Sequence, residues 1–317
     1  MLAIERARRY GFAPVVYDFR NGGLPAGATL ARASAGTRIN SAGLLVSETT
    51  DVPRFTHDPA TLALQGLLVE PSDTNAMTQS EDLSAAGWSS GGPPTLVRAA
   101  NAHDAPDGAT TASSLTEDSI SGAKFVSRAV AVADGSVYPF SVFAKNIAGD
   151  RWVQLTLNQT FGFNFQPSTG TQGSNVGSGT LTGVQIVPFP NGWYRIGGVF
   201  TSAVTSGSFG QRTWTLAGDV GIGTPYSGDG AEHVTLWGFH FGSAGNPITS
   251  YIACNAASAV TRAADVLTLA VPNGTYTANI ERLSGVTTLF EQIVSAGAYT
   301  VPTDASPIRR VVLWRTP

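Results

Sequence analysis

The sequence predicts an all-β protein in which two antiparallel sheets pack face to face. Apolar residues alternate with polar or aromatic ones with a period of two, as in Val153, Leu155 and Leu157 and again in Val234 and Leu236. Roughly eight or nine runs of this kind occur in the middle of the chain, at the spacing of an all-β sandwich. The 36 glycines and 18 prolines interrupt the chain often, which favours short strands, and none of the alternation has a helical period.

Length, charge and cysteine content exclude several classes of protein. With 317 residues, the chain is long enough for two domains of roughly 100–200 residues each. Its 19 basic and 22 acidic residues form no basic cluster, so we expect no nucleic-acid partner. The single cysteine, Cys254, excludes an intramolecular disulfide, and no run approaches the roughly 18 apolar residues of a membrane span. Residues 1–10 carry no secretory apolar core, so we expect synthesis as a cytoplasmic chain.

The first part of the chain predicts an arm followed by hairpins and loops. Residues 2–9 are good helix formers, and Gly11 and Pro14 end that short helix. After it come very short apolar pieces separated by glycine and proline, with candidate strands at 43–46 and 66–69. We therefore assign residues 1–74 to an N-terminal arm and a β-hairpin and loop region for attachment.

The rest of the chain predicts a sandwich and a smaller β domain. We assign residues 75–265 to the β-sandwich, in which 162–183 is a hairpin with a long loop. We assign 266–317 to a small C-terminal β-meander, because clean alternation around Tyr276 is followed by a two-residue turn at Ser284–Gly285 and by further apolar runs. The last of these, 311–314, is too apolar to remain in water.

Short motifs follow one another in a definite order along residues 15–270. The N-terminal ones are YDF at 17–19, LPAG at 24–27, ARAS at 31–34, PRF at 53–55, HDP at 57–59, GLLVEP at 66–71 and TN at 74–75. The later ones are SED at 80–82, GW at 87–88, APDG at 105–108, 138–145, NGWYR at 191–195, LWG at 236–238, SYI at 250–252 and VTRAAD at 260–265. This series resembles phage tail fibre and prophage virion proteins. The central part is similar to jelly-roll carbohydrate-binding modules, which implies an antiparallel jelly-roll β-sandwich.

The sequence contains no motif of a known catalytic site, and we expect a protein that is not an enzyme. No nucleophile elbow, phosphate-binding loop or dinucleotide fingerprint is present, and the four histidines are not spaced as metal ligands. Glycan-cleaving spikes need a spatial pair of carboxylates, whereas the acids here are scattered in turn-rich sequence. A glycan depolymerase is therefore the weakest of the alternatives, and loss of capsule viscosity would revive it.

Aromatic residues are the better candidates for a binding site, because a sugar presents an apolar face to an indole while its hydroxyls need polar partners. Trp193 and Trp237 lie in dense apolar runs and are expected in the core. Trp152 and Trp214 alternate with polar neighbours and are candidate glycan-binding residues. A glycine-rich loop, 218–232, adds further candidates. These are Tyr226 and Asp229.

A structural calcium ion is the one cofactor that remains open, and otherwise we expect none. Glycines in the 218–232 loop would let backbone carbonyls approach a hard cation, although no EF-hand spacing supports it. The resemblance to jelly-roll modules suggests a second place for calcium, at residues 75–82. The sequence leaves both places open and identifies no metal ligand.

The resemblance implies a structural protein of a tailed-phage virion, such as a tail fibre, a tail spike-like or a baseplate-associated protein. It would contribute to recognition of host surface polysaccharide, and it would be assembled in the host bacterial cytoplasm. Its other partners would be virion proteins and further copies of itself, with a trimer favoured. The alternative is a connector, or a capsid decoration or head fibre subunit, that binds no glycan.

Overall fold

The computed structural model describes residues 13–90, 96–157, 159–203 and 207–316, and of residues 207–210 only the backbone. Over these residues the expected all-β fold is confirmed: several antiparallel sheets are accompanied by one turn of 3-10 helix, Pro190–Gly192. No helix in this part of the chain is long and apolar enough to cross a membrane. The helical arm expected at residues 2–9 lies outside the described residues.

The chain divides into two compact units, one formed by the residues up to Ser72 together with those from Arg262 onward, and one formed by Asp73–Thr261. The first segment contains β1 (Val15–Asp18), β2 (Ala28–Ala31), β3 (Gly36–Ile39), β4 (Leu45–Glu48), β5 (Phe55–His57) and β6 (Leu64–Val69). The second unit contains β7 (Asp73–Asn75), β8 (Ser89–Ser90), β9 (Leu96–His103), β10 (Ala112–Glu117), β11 (Ser121–Gly122), β12 (Lys124–Val132), β13 (Val137–Asn146), β14 (Trp152–Leu157), β15 (Phe161–Gln166), β16 (Thr171–Gly177), β17 (Leu181–Pro188), β18 (Trp193–Thr201), β19 (Gly207–Leu216), β20 (Tyr226–Ser227) and β21 (Glu232–Phe241). The remaining strands are β22 (Val260–Arg262), β23 (Val266–Ala270), β24 (Gly274–Arg282), β25 (Gly285–Val294), β26 (Ala298–Val301) and β27 (Asp304–Arg315).

The first unit is built on β27, which joins the two ends of the described chain. Its main sheet has the order β25-β24-β27-β6-β5, and β1 also pairs with β27. A second sheet has the order β2-β23-β26, and β3 pairs with β4. The core draws on both segments, because Tyr17, Leu30 and Leu67 pack in one cluster with Leu267 and Ile308.

This arrangement differs from the predicted division into an attachment region, a sandwich and a separate C-terminal domain. The segments before Ser72 and after Arg262 share one hydrophobic core, so the C-terminal strands do not form a domain of their own. Sequence patterns gave no sign of this, since strand pairing over more than 200 residues leaves no local signal. The predicted start of the sandwich at residue 75 lies close to its observed start at Asp73.

The C-terminal strands form where the alternation placed them, with a small shift in one turn. β24 and β25 pair as a hairpin in which Arg282 lies opposite Gly285, so the two turn residues are Leu283 and Ser284. The turn was expected one residue later. The apolar end of the chain is protected as expected, since Leu313 on β27 is fully buried.

Three arginines and two carboxylates form a buried ion network in the first unit. The Asp265 carboxylate forms ion pairs with Arg32 at 3.2 Å and with Arg54 at 2.5 Å. The Glu70 carboxylate forms ion pairs with Arg54 at 2.8 Å and with Arg262 at 3.0 Å. All five side chains are at most 1% exposed. Backbone carbonyls accept further hydrogen bonds from all three guanidinium groups.

The second unit is a jelly roll, as its strand pairing shows. β10 pairs with β21, β12 with β19 and β13 with β18, so successive strands pair in a nested series. The sheets have the orders β17-β18-β13-β21-β10-β9 and β16-β15-β14-β19-β12-β8, which we call the β13 sheet and the β14 sheet. Two antiparallel sheets linked in this nested way define the jelly roll. The predicted fold class is confirmed.

The core of the jelly roll lies between the two sheets and explains the period-two pattern. Val153, Leu155 and Leu157 point inward from β14, and Val234 and Leu236 point inward from β21. Trp193 and Trp237, both 1% exposed, are buried as expected. The segment 162–183 divides differently from the expectation, because β15 and β16 form a hairpin and β17 belongs to the other sheet. Edge strand β16 is exposed along most of its length, so it has no apolar alternation to recognise.

A buried carboxylate fixes the first residues of the jelly-roll unit. Asp73 is 1% exposed and accepts hydrogen bonds from the Ser243 amide at 2.7 Å, from Thr249 at 2.6 Å and from Asn246 at 3.1 Å. Burial opposes the ionisation of this carboxyl. The hydrogen bonds, with His240 among the donors, outweigh burial and hold the pKa of Asp73 far below its usual range.

Removal of one carboxylate from the ion network should destabilise the first unit severely. We expect Asp265→Ala to lower the free energy of unfolding by about 3–5 kcal/mol, because two guanidinium groups then remain buried without their shared partner. The control is Glu48→Ala, which breaks the more exposed Arg38–Glu48 pair and should cost about 1 kcal/mol or less. Urea unfolding monitors both, and equal costs for the two variants would contradict the structural role of the network.

The Asp73 carboxylate should stabilise the protein at neutral pH and lose this effect in acid. Because its folded-state pKa is lowered, the contribution is complete above the unfolded-state pKa of about 3.9 and declines as the pH falls below it. We expect Asp73→Asn to lower the melting temperature at pH 7 and to differ less from the parent at pH 3. Asp134→Asn, in an exposed turn, is the control. A constant difference between pH 7 and pH 3 would refute this assignment.

Candidate glycan-binding site

Trp152 and Trp214, two of the predicted binding residues, lie on the same outer face of the β14 sheet. Trp152 is opposite Leu216, and Trp214 is opposite Gln154 on the neighbouring strand. The alternate residues of β14 point into the core, so both indoles lie on the side away from it. The shared face follows from strand register, which the alternation of each strand alone did not reveal.

Trp214 is not available to a ligand, which corrects the expectation that it faces one. Its side chain is 5% exposed, and its ring centroid lies 4.7 Å from that of Phe125. The loop after β19 covers the other side, where a Cβ added to Gly223 would lie 2.6 Å from the indole. Gly223 has φ +54°, so glycine meets both the backbone conformation and the close approach. The indole nitrogen donates to the Thr156 hydroxyl at 3.2 Å.

Two buried amide side chains hold this loop on the sheet. The Gly223 amide donates to Gln154 Oε1 at 3.0 Å, and Asn164 Nδ2 donates to Asp219 Oδ1 at 2.7 Å and to the Val220 carbonyl at 2.8 Å. Gln154 and Asn164 are both fully buried and also bond each other at 2.7 Å. Both amides lie on the outer face of the sheet, and the covering loop is the reason that they are buried there.

Trp152 is half-buried and lies beside a polar edge. Its ring and the Asp219 carboxylate both flank Gly173, where an added Cβ would lie 2.5 Å from the ring and 2.7 Å from Asp219 Oδ1. Burial opposes the ionisation of Asp219, but hydrogen bonds from Asn164 and Ser174 outweigh it and lower its pKa. A partly exposed indole next to hydrogen-bonding groups can stack on a sugar ring while its hydroxyls are bound at the rim.

Tyr226 takes part in a buried polar cluster and does not offer its ring to solvent. It is 9% exposed, its hydroxyl donates to Glu117, and it shares a 2.9 Å hydrogen bond with the Thr215 hydroxyl. The Arg151 guanidinium carbon lies 4.8 Å from the Tyr226 ring centroid. Arg151 donates hydrogen bonds to the Glu117 carboxylate from Nε at 3.0 Å and from Nη2 at 2.9 Å. Burial, reinforced by Glu117, raises the pKa of Tyr226 far above its ordinary value.

Asp229 is exposed and pairs with His233 at 3.0 Å. The hydrogen bond from His233 lowers the pKa of Asp229. Burial works against protonation of His233, but its bonds to Asp229 and to the Ala148 carbonyl outweigh burial and raise the pKa of His233. Tyr226 and Asp229 therefore border one polar cluster, while Trp152 and Trp214 belong to the outer face.

Within the described residues, Glu117, Asp229 and His233 form a group that could hold a metal ion, with ligand atoms within 4.8 Å of one another. Arg151 already neutralises Glu117, so a cation would have to displace a bidentate guanidinium. At residues 75–82, the second place where a calcium ion was expected, the side chains of Asn75 and Glu81 form hydrogen bonds with other groups of the protein. The structural calcium ion therefore stays a prediction.

Sequence reasoning missed Arg212, which lies on the same outer face as Trp214. Its guanidinium carbon is 3.9 Å from the Phe125 ring centroid and 5.1 Å from that of Trp214. Phe125 is opposite Trp214 in the pairing of β12 with β19, which brings the three side chains together. The sequence shows that Arg212 and Trp214 are two residues apart and so lie on the same face of a strand. It does not show that β19 pairs with β12, which brings Phe125 next to them.

Comparisons with known proteins do not assign the chain to a family. No protein-family model matches the chain, and no curated protein matches it. The chemistry of the outer face of the β14 sheet is therefore what supports a functional proposal.

The loop over Trp214 should open when Gly223 gains a side chain. We expect Gly223→Ala to speed amide hydrogen exchange in the peptide covering 217–225, because the added Cβ collides with the indole and the backbone φ is positive. Gly218→Ala is the matched control, since no atom lies within 4 Å of its added Cβ. Equal exchange in the two variants would show that the loop does not pack on Trp214.

Proposed function

We propose that this protein is a structural protein of a tailed-phage virion whose jelly-roll unit binds glycan on the host surface and so contributes to adsorption. The observation that carries the binding part is the half-buried Trp152 indole beside the polar edge formed by Asp219 and strand β16. An indole of this kind supplies the apolar platform for a sugar, and the edge supplies its hydrogen-bonding partners. No step in this function needs a catalytic group.

The virion part of the proposal rests on the resemblance of the ordered motifs. The charged residues of four of these motifs, Arg32, Arg54, Glu70, Arg262 and Asp265, all belong to the buried ion network. Motifs 31–34, 53–55, 66–71 and 260–265 thus serve one structural purpose in the first unit. This common purpose supports treating these four motifs as one set.

Attachment to a cell requires several copies if each glycan site is weak. Linked copies raise the effective concentration of the second binding event, so a homo-oligomer, with a trimer favoured, would turn weak sugar sites into firm adsorption. Edge strand β25 of the first unit exposes Val286, Phe290 and Ile293, the last at 79%. An exposed apolar edge strand is a surface for pairing with another chain.

That same strand supports a second candidate function. A connector, or a capsid decoration or head fibre subunit, would use β25 against another virion protein and would need no glycan. The end of the chain does not serve this purpose, because Val311 and Leu313 are buried inside the first unit. The expected contact through the 1–10 arm lies outside the described residues.

Binding to intact candidate host cells and to their extracted surface polysaccharide should separate the two functions. We expect saturable binding by the parent protein, a loss of roughly tenfold or more in Trp152→Ala, and a smaller loss in Trp152→Phe, which keeps an aromatic platform. Light scattering on the same samples should show an oligomer. Absence of binding by an oligomeric protein would contradict glycan recognition and favour the connector.

A further inference from the structure

Arg212 stands in a row of small side chains on the outer face of the β14 sheet. Strand register places Thr156 and Ser127 on either side of it, and Ser89 next to Ser127. The Ser89 and Ser127 hydroxyls are 2.7 Å apart and share a hydrogen bond. The next row on β12 and β19 pairs Ala129 with Gly210, so no bulky side chain adjoins the guanidinium there.

The Arg212 guanidinium lies over the Phe125 ring, with its carbon 3.9 Å from the ring centroid, and has no hydrogen-bonding partner among the described residues. Its Nε is buried and makes no hydrogen bond, and the described part of the chain places no carboxylate in ion-pair distance of it. Two other half-buried arginines differ, since Arg151 is held by Glu117 and Arg195 donates to the Thr249 carbonyl. Contact with the Phe125 ring positions the guanidinium, and its Nη groups, unlike Nε, are not buried and can donate to a ligand.

An unpaired, partly desolvated guanidinium is a site for an anion. Burial lowers the pKa of Arg212, yet an arginine keeps its charge at every physiological pH. The Nε of Arg212 is enclosed by protein, so a bound oxyanion would accept hydrogen bonds from the Nη groups. The planar fork of arginine matches the two oxygens of a carboxylate or a phosphate.

We propose that Arg212, supported by Phe125 and Ser89, binds the acidic group of an anionic glycan on this face. The carboxylate of a uronic or nonulosonic acid, or the phosphate of a phosphorylated glycan, would accept hydrogen bonds from the guanidinium. The exposed Ser89 hydroxyl would bond to the sugar, and the exposed Ala129 methyl would pack against its ring. The inference rests on the proposed function and narrows its ligand to acidic glycans.

At about 3.3 Å per residue, Arg212 lies roughly 13 Å along the sheet from the row of Trp152, with the Gly223 loop between them. This separation is larger than one sugar ring, so the two side chains would contact different residues of one polysaccharide. Arg212 would determine the charge of the glycan, and Trp152 would add affinity irrespective of charge. The two contributions can therefore be separated by variants.

The test is calorimetric titration of the full chain with three probes: oligogalacturonate for carboxylate, a phosphomannan fragment for phosphate, and neutral galacto-oligosaccharide. The variants are Arg212→Gln and Arg212→Lys. Arg128→Lys is the matched control, because Arg128 also stacks on an aromatic ring, that of Trp88, but donates to the Ala86 carbonyl. Thermal unfolding verifies that each variant is folded.

We expect an acidic probe to bind the parent, with about tenfold weaker binding in Arg212→Gln, intermediate binding in Arg212→Lys and no change in Arg128→Lys. Whichever of the carboxylate and phosphate probes binds identifies the acid. Equal binding of acidic probes by the parent and Arg212→Gln would overturn this inference. Binding of the neutral probe alone, with loss in Trp152→Ala, would overturn it while leaving the proposed function standing. Failure of all three probes and of host polysaccharide would overturn both.

Discussion

The buried charges of the first unit are the constraint on which its folding depends. Ionised side chains are stable away from water only when they are paired, and here Arg32 and Arg54 from the N-terminal segment are paired by Asp265 from the C-terminal segment. The two segments are separated in the chain by the whole jelly-roll unit. The first unit can therefore complete its core only when both segments are present, and strand β27 adds main-chain hydrogen bonds to the same requirement.

In the jelly roll, nested pairing decides which side chains share a surface. Neighbouring strands of the β14 sheet come from distant parts of the unit, so Phe125, Gln154 and Trp214 become adjacent. The loop after β19 then covers part of this surface, held by the amides of Gln154 and Asn164. A buried amide needs its hydrogen bonds, so these two residues hold the loop on the sheet. Trp152 lies on one side of the covered part of the face and Arg212 on the other.

Trp152 and Arg212 differ in chemistry, and together they define the proposed ligand. An indole recognises the apolar face of a sugar without regard to charge, whereas a guanidinium without a protein partner selects an acid. The cluster around Glu117 has the opposite character, because Arg151, Tyr226 and His233 already satisfy its acids. The acids around Glu117 are therefore neutralised within the protein, whereas Arg212 on the outer face still has N–H groups that can donate to a ligand.

The sequence alone determined the all-β class, the core strands around Val153 and Val234, the burial of Trp193 and Trp237 and the approximate start of the jelly-roll unit, because period-two alternation is a local property of each strand. It also identified Trp152 as an outward residue. Tertiary structure alone decided that Trp214 is covered, that Tyr226 is buried beside Glu117, that Arg212 stacks on Phe125, and that residues before Ser72 and after Arg262 form one unit. Each of these depends on pairing between distant segments, and the pairing of strands leaves no periodic trace in either partner.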